Sequence, residues 1–271
     1  MGAAARPIDP LTELDWGEHW RRLVEARAAG TEPRPDYWDR RAAIYSFSLA
    51  GEPEPFLEFL EPFLAPGKSL IDVGAGTGRH VVPLAAHVEW VTAVEPSEGM
   101  RARIPHLDNV TVVGTTWQDA EVAPADLVIC SHVLYPIGDA ATFVSKMEAS
   151  ARERVFIYLR DAQLHHPAEL LWDQLSGGRR PRQPQFYDAY NLLHWMGIEA
   201  DVAVLPGRSR QRFQSMDDAV LDCRVRLGAL YEEAPVREWL QENLKDEAGT
   251  LVYEGPAFSS GVAHWRPRSR N

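Results

Sequence analysis

The 271-residue sequence predicts an α/β protein: a mostly parallel sheet with helices on both faces. Two observations predict it. Between positions 69 and 159 five short apolar runs alternate with helical segments, the texture of strand–helix–strand units. The runs are apolar at most positions instead of every second one, as strands covered on both sides are.

Residues 11–29 carry Leu14, Trp16, Trp20, Leu23 and Val24 at helical spacing. A second helix is expected over 37–49, after the breaker run Glu32-Pro33-Arg34-Pro35, and a third over 53–64. Residues 1–65 therefore read as an N-terminal helical cap and 66–271 as the core. After Pro66-Gly67 strands are expected at 69–73, 90–95, 110–114, 126–131 and 154–159, with helices at 78–86, 97–104 and 140–152. A loop or short helical insert over 161–185 leads to a helix at 187–195 and a strand at 199–205. Two more helices follow at 216–230 and 235–245, and a hairpin of 251–253 with 258–265 turns through Gly255-Pro256. Insertions on the substrate side are thus placed at about 161–196 and 215–247.

The charge balance argues against nucleic acid as a partner. With 28 Lys+Arg against 39 Asp+Glu the net charge is -11, the wrong sign for a surface that grips phosphate backbones. It suits a neutral or cationic small acceptor. Cys130 and Cys223 are too few for a disulfide framework or a Cys-rich zinc site, so a reducing cytoplasm is expected. No run approaches the roughly 20 apolar residues of a membrane helix. The first ten residues do not read as a signal peptide.

The chemistry concentrates after the first strand. Ser69-Leu70-Ile71-Asp72-Val73 opens into Gly74-Ala75-Gly76-Thr77-Gly78 and then a helix. Glycines allow a tight turn and close approach of a ligand, and the N–H groups at the helix start favour a polar or anionic group. The spacing is GxGxG, whereas dinucleotide loops usually read GxGxxG. Glu95 ends the second strand, 17 residues past Gly78, where an acid can accept hydrogen bonds from both ribose hydroxyls. The fourth strand exits into Ser131-His132-Val133-Leu134-Tyr135-Pro136. All three elements meet outside the carboxyl ends of the strands, where open α/β sheets bind ligands.

These stretches resemble the class I S-adenosylmethionine-dependent methyltransferases. IDVGAGTGRH is similar to that family's first motif, AVEPSEGM to its second and DLVICSHVLYP to its fourth; YWDRRA resembles a helix that precedes the core in many members. The resemblance spans roughly residues 37 to 160. It implies a Rossmann-like seven-stranded sheet of order 3-2-1-4-5-7-6 with the last strand reversed, and residues 258–265 are the candidate for that strand. It implies S-adenosyl-L-methionine as cofactor. Asp72 and the loop Gly74, Ala75, Gly76 and Gly78 would surround its amino acid part, and Glu95 its ribose. Pro96 and Met100 would lie by the sugar and adenine. Thr116, Trp117 and Gln118 would flank the adenine, although the family often has an acid where Thr116 stands. Ser131 and His132 would lie beneath the sulfonium.

His132 and Tyr135 are the catalytic candidates. An imidazole at the methyl-transfer point can act as a general base, or it can support the cofactor through a hydrogen bond. Asp161 and the pair His165-His166 face the substrate side. Adjacent histidines point apart and lack an i, i+4 partner, so no metal site is expected. Arg179, Arg180 and Arg182 read as a solvated loop, with contact to an anionic substrate as the alternative. The function expected is in-line methyl transfer to a small-molecule acceptor. The alternatives are an RNA or protein methyltransferase and a non-catalytic S-adenosylmethionine-binding protein; a nicotinamide oxidoreductase is disfavoured by the glycine spacing. Trp16, Trp20, Trp38, Trp172, Trp195 and Trp239 fall in segments expected to cover the crevice, where most would pack and a few could line the acceptor pocket.

Overall fold

The computed structural model describes residues 14–29, 36–162 and 165–268. The breaker run 32–35 and the start of the first expected helix, at 11–13, lie outside the described residues. The chain begins with α1 (Trp16–Ala28), α2 (Tyr37–Leu49) and α3 (Pro55–Leu60). Asp15 caps α1 by accepting the Glu18 N–H at 2.9 Å. Pro55 sits in the first turn of α3, where its missing N–H costs nothing.

The βα core runs β1 (Ser69–Val73), α4 (Val81–Ala85), β2 (Trp90–Val94), α5 (Glu98–Arg101), β3 (Val110–Val113), β4 (Ala125–Ser131), α6 (Ala140–Ser150) and β5 (Ala151–Arg160). Then come α7 (Pro167–Ser176), α8 (Phe186–Trp195), β6 (Asp201–Phe213), α9 (Met216–Leu227), α10 (Glu233–Asn243), β7 (Lys245–Glu247) and β8 (Thr250–Trp265).

The sheet order is β3-β2-β1-β4-β5-β8-β6, with β1 to β5 parallel and β8 antiparallel to both β5 and β6. The reversed strand therefore lies where the motif resemblance implies. Eight strands are present rather than seven, because β7 pairs with the outer part of β8. They are joined at Ala248 and Gly249, both at positive φ (52° and 85°) as a two-residue hairpin turn requires.

That turn replaces the expected one. Residues 250–265 form a single strand, and Gly255-Pro256 is a bulge in it: Ala257 pairs with Arg208 and Glu254 with Arg210, so two residues face one. A bulge tolerates a proline that has no N–H to give to a ladder.

Side chains of the parallel strands alternate between two cores. On one face Ile71, Val73, Val128, Cys130 and Ile157 pack with α1, α6 and α8; on the other Leu70, Val91, Leu127, Ile129 and Phe156 pack with α3 and α4. A third core lies off the sheet. The last pair between β5 and β8 is Arg160 with Ser260, yet β6 and β8 stay paired out to Phe213 and Leu251. This arm projects past the carboxyl edge and carries α9 and α10; with α2 and α7 it buries Ile44, Trp172, Phe213, Cys223, Val236 and Leu240.

Asp222, 1% exposed, ties α2 to the cap that α7, α9 and α10 build over that edge. Its carboxylate receives Arg41 Nε of α2 at 2.6 Å and Arg226 Nε at 2.9 Å, and faces His166 Nε2 at 2.9 Å. The His166 Nδ1 accepts the Ala168 N–H (3.1 Å), so the ring carries its proton on Nε2, toward Asp222. His166 is thus a cap residue of α7.

The arginine stretch 179–182 is more structured than a solvated loop. Arg180 pairs with Glu169 at 2.8 Å and lies 4.0 Å over the Trp172 ring, and Arg182 forks onto Asp188 at 2.5 and 2.9 Å. Their acids are distant in sequence or buried, which a charge run does not reveal.

Candidate functional site

The ends of β1, β2, β4 and β5 open onto one crevice, and the glycine loop forms its centre. The Gly74 and Ala75 N–H groups both donate to Val94 O (2.8 and 3.1 Å), which folds the loop back over β2. Gly74 sits at φ +73°, and a Cβ there would come within 2.3 Å of Val133 Cγ2, so only glycine lets the β1 and β4 exits approach. Gly76, at φ +57°, has nothing within 4 Å of its absent Cβ and leaves its side of the loop open to a ligand.

Two carboxylates flank the loop. Glu95, 6% exposed, accepts the Gly76 N–H (2.9 Å) and the Ser97 N–H (2.8 Å). Burial raises its pKa above the ordinary value, against those two hydrogen bonds and Arg101, which lower it. A carboxylate has about four acceptor positions, so two remain for a diol. Asp72, 1% exposed, has an oxygen, Oδ2, that is buried without any hydrogen-bond partner. Burial pushes its pKa up to about 6; His80 lowers it and the Glu95 charge raises it. An unsatisfied buried carboxylate is costly in isolation, and a cationic group beside it would remove that cost.

The second motif is held from above. Met100 is buried, its N–H accepted by the Ser97 hydroxyl at 3.1 Å. Asp39 of α2 accepts from Ser97 Oγ (2.6 Å) and from the Gly99 N–H (2.7 Å). A Cβ on Gly99 would meet the Asp39 backbone at 2.9 Å. These bonds hold the Asp39 carboxyl below its usual pKa. At its other end α2 reaches the β6 arm, where Ser48 Oγ accepts the Arg212 N–H at 3.1 Å. The helix spans the crevice from α5 to β6. Sequence reasoning did not single out Asp39; the YWDRRA stretch was the only signal for it.

At the β3 exit the expected trio separates. Trp117 is 3% exposed and donates Nε1–H to Phe143 O (3.2 Å), so its indole packs against α6 and belongs to the core. Thr116 and Gln118 are exposed. Thr116 Oγ1 bonds Asp119 Oδ2 at 2.7 Å, which puts an acid beside the position where the family often has one.

The β4 exit carries the strained residue of the site. His132 stands at φ +60° with a side chain that rarely adopts that region, and its N–H donates to Tyr158 O (2.9 Å). Its ring lies 4.7 Å from the Tyr158 ring, and its Nδ1 is 2.9 Å from the Tyr135 hydroxyl. That hydroxyl accepts the Arg160 N–H (2.9 Å) and shares a second hydrogen bond with His132 Nδ1. Burial, then Arg160, His80 and Arg79, hold the His132 pKa well below 6.5. The ring is neutral at ordinary pH. Tyr135 stays protonated, its pKa raised by burial. Arg160, at the end of β5, lies 4.9 Å over the Tyr135 ring. It is a second residue not singled out in sequence, although strand ends on this side are where ligands bind.

The chain matches a family described as a methyltransferase domain over residues 44–203. A curated protein of Haemophilus influenzae, itself uncharacterized, is 26% identical over 210 residues, 73% of this chain and 77% of that one. Among solved structures, a Bacillus halodurans protein provisionally described as a methyltransferase superposes with TM-score 0.52 at 15% identity, over 80% of this chain and all of that one. The YcgJ protein of Bacillus subtilis gives 0.50 at 10% identity, over 77% and 96%. At such identities these two speak for the fold alone. The family match covers more than half of the chain and includes both the glycine loop and the β4 exit, and the sheet has the order that the motifs imply. The chain belongs to the class I S-adenosylmethionine-dependent methyltransferases, enzymes whose methyl donor is S-adenosylmethionine.

Proposed function

We propose that the enzyme methylates a small-molecule acceptor, bound between the cofactor crevice and the helical cap. The observation that supports this reading most is α2, docked at one end on Ser97 and Gly99 through Asp39 and at the other on the β6 arm through Ser48. A helix fastened across the carboxyl edge leaves room for a small molecule beneath it and little for a folded polymer.

The residues around the glycine loop fit the cofactor. The unpartnered Asp72 oxygen suits an ammonium group, the open side of Gly76 suits the carboxylate end, and the two spare acceptor positions of Glu95 suit ribose hydroxyls. Pro96 and Met100, with Thr116, Gln118 and Asp119, border the adenine region in this reading, and Ser131 and His132 lie beneath the transfer point. When bound, S-adenosylmethionine supplies an electrophilic methyl group on a sulfonium.

What the protein adds is placement. Reacting atoms about 3–3.5 Å apart and in line gain most of the available rate from orientation. The cap excludes water, which strengthens every charge interaction inside. His132, neutral and with Nδ1 engaged by Tyr135, holds the acceptor through its other ring nitrogen in this reading.

Incubation with methyl-labelled S-adenosylmethionine and a whole metabolite extract tests the acceptor class. Label in the low-molecular-weight fraction is expected; label confined to RNA or protein would overturn the reading. Two residue-level results are expected as well. Glu95→Ala weakens S-adenosylhomocysteine by about 100-fold, the loss of two charge-assisted hydrogen bonds, and an unchanged calorimetric Kd would remove the ribose contact. The pH profile of kcat shows no break at the ordinary imidazole value near 6.5, because His132 takes up its proton only well below it. A break near 6.5 that disappears in His132→Gln would make the ring a general base.

A further inference from the structure

The cations around the crevice have partners, with one exception. Arg79 pairs with Glu54 at 2.7 Å, Arg41 with Asp222 at 2.6 Å, and Arg101 donates to the Glu95 and Pro96 carbonyls at 2.9 and 2.6 Å. Among the described residues no carboxylate pairs with Arg160, and its Nε is buried with no acceptor. Its Cζ lies over the Tyr135 ring, 4.9 Å from the centroid. Its charge is felt in the crevice, where it opposes protonation of His132 and favours ionisation of Tyr45. A half-buried guanidinium without a counter-ion is costly unless a ligand supplies the charge.

The position selects which ligand. In the order β2-β1-β4-β5, the glycine loop and Glu95 lie on one side of the β4 exit and Arg160 on the other. Adjacent strands are about 5 Å apart, so Arg160 sits roughly one strand spacing from the transfer point, on the side away from the cofactor. A guanidinium fork matches a planar carboxylate with two parallel hydrogen bonds, and one excess positive charge matches one negative charge.

We infer that Arg160 binds a carboxylate of the methyl acceptor, so that the acceptor is a small carboxylic acid methylated a few bonds from that group. This rests on the small-molecule reading above and narrows it. The overall charge of -11 pointed to a neutral or cationic acceptor; the field inside the crevice is set by its nearest unpaired group instead.

The test uses benzoate, phenylacetate and hexanoate, each beside its primary amide, at up to about 10 mM on the full chain by tryptophan fluorescence and ligand-observed NMR. Each is measured with and without saturating S-adenosylhomocysteine, so that the result stands whether or not the cofactor assignment does. At least one acid is expected to bind about tenfold or more tighter than its amide. Arg160→Met should bring that preference to within about twofold while the S-adenosylhomocysteine Kd stays within about threefold of wild type. Arg160→Lys, which keeps the charge and the stem, should retain part of the preference and reports separately on folding. Binding by none of the acids, or an acid preference that survives in Arg160→Met, overturns the inference. So does a loss of S-adenosylhomocysteine affinity as large as the loss for the acids, which would give Arg160 to the cofactor. Failure of the small-molecule reading shows elsewhere, as methyl label confined to RNA or protein.

Discussion

Asp72→Asn should stabilise the cofactor-free enzyme and weaken cofactor binding at the same time. The Asp72 carboxyl is buried with one oxygen unpartnered, and its pKa rises from 3.8 to about 6 on folding. An acid raised in this way opposes folding once it ionises. The opposition is absent below 3.8, grows as pH rises, and is complete above about 6. At pH 7 a rise of that size corresponds to about 3 kcal/mol, an upper figure for what the neutral amide recovers. A gain of 1–3 kcal/mol in a chain of this length raises Tm by about 3 to 8 °C. The same substitution removes the counter-ion proposed for the amino group of the cofactor, and S-adenosylhomocysteine should bind about 30- to 100-fold more weakly. In wild type the affinity should also decline as pH falls below about 6, where the free carboxyl takes up a proton, and this dependence should flatten in Asp72→Asn. Thermal denaturation and calorimetric titration across pH read both halves. A lower Tm in the variant would mean that the carboxylate has a structural partner, and unchanged binding would remove it from the cofactor site.

Asp222→Ala should be the most destabilising change in the cap. The carboxylate joins Arg41, Arg226 and His166 from three helices at 2.6 to 2.9 Å. Its removal leaves the buried Arg41 and the partly buried Arg226 without their shared counter-ion, a loss of about 3–5 kcal/mol. The pairs hold the Asp222 pKa well below 3.8, so this stability is present above the carboxylate range and is lost as pH falls through it. His166 extends the loss to milder acid. Its pKa falls from 6.5 to about 4 in the folded chain, chiefly by burial, so the unfolded chain takes up protons first and stability declines as pH drops from about 6.5 toward 4. Urea denaturation of wild type and Asp222→Ala at pH 7 measures the difference. A loss under about 1 kcal/mol would show that the cluster does not hold the cap.

The α2 helix is where this matters for catalysis, since Arg41 and Asp39 lie on one helix. Arg41 fastens it to the cap and Asp39 to the second motif. Loosening Asp222 should therefore raise the KM for cofactor as well as lower Tm, because the helix that covers the crevice loses one of its anchors.

Much of the core is legible in the amino-acid sequence. Strand β1 is an unbroken apolar run followed by glycines, and short range patterns of this kind decide both the strand and the turn that ends it. Helix α2 spans the range expected from its periodicity. The arm was not legible. Residues 206–213 contain Pro206, Gly207, Arg208 and Arg210, a composition that reads as a loop, and they are strand because β8 offers them a ladder from residue 251 to 259. Trp117 is placed beside the adenine by the motif resemblance, with packing as its other reading, and only the fold shows its ring turned to α6, where it donates to Phe143 O.

For this protein the sequence alone determined the cofactor loop and the acid that follows it, and these motifs carry the resemblance that implies the family and the strand order. Each depends on residues close together in the chain: glycines that must adopt positive φ, and an acid at a fixed distance behind them. Tertiary structure alone decided which charges are paired. Arg160 and Arg180 are indistinguishable as letters, yet one lies against Glu169 and the other has no counter-ion among the described residues. Ion pairing depends on separations of a few ångströms between groups far apart in sequence, and only the folded chain sets those separations.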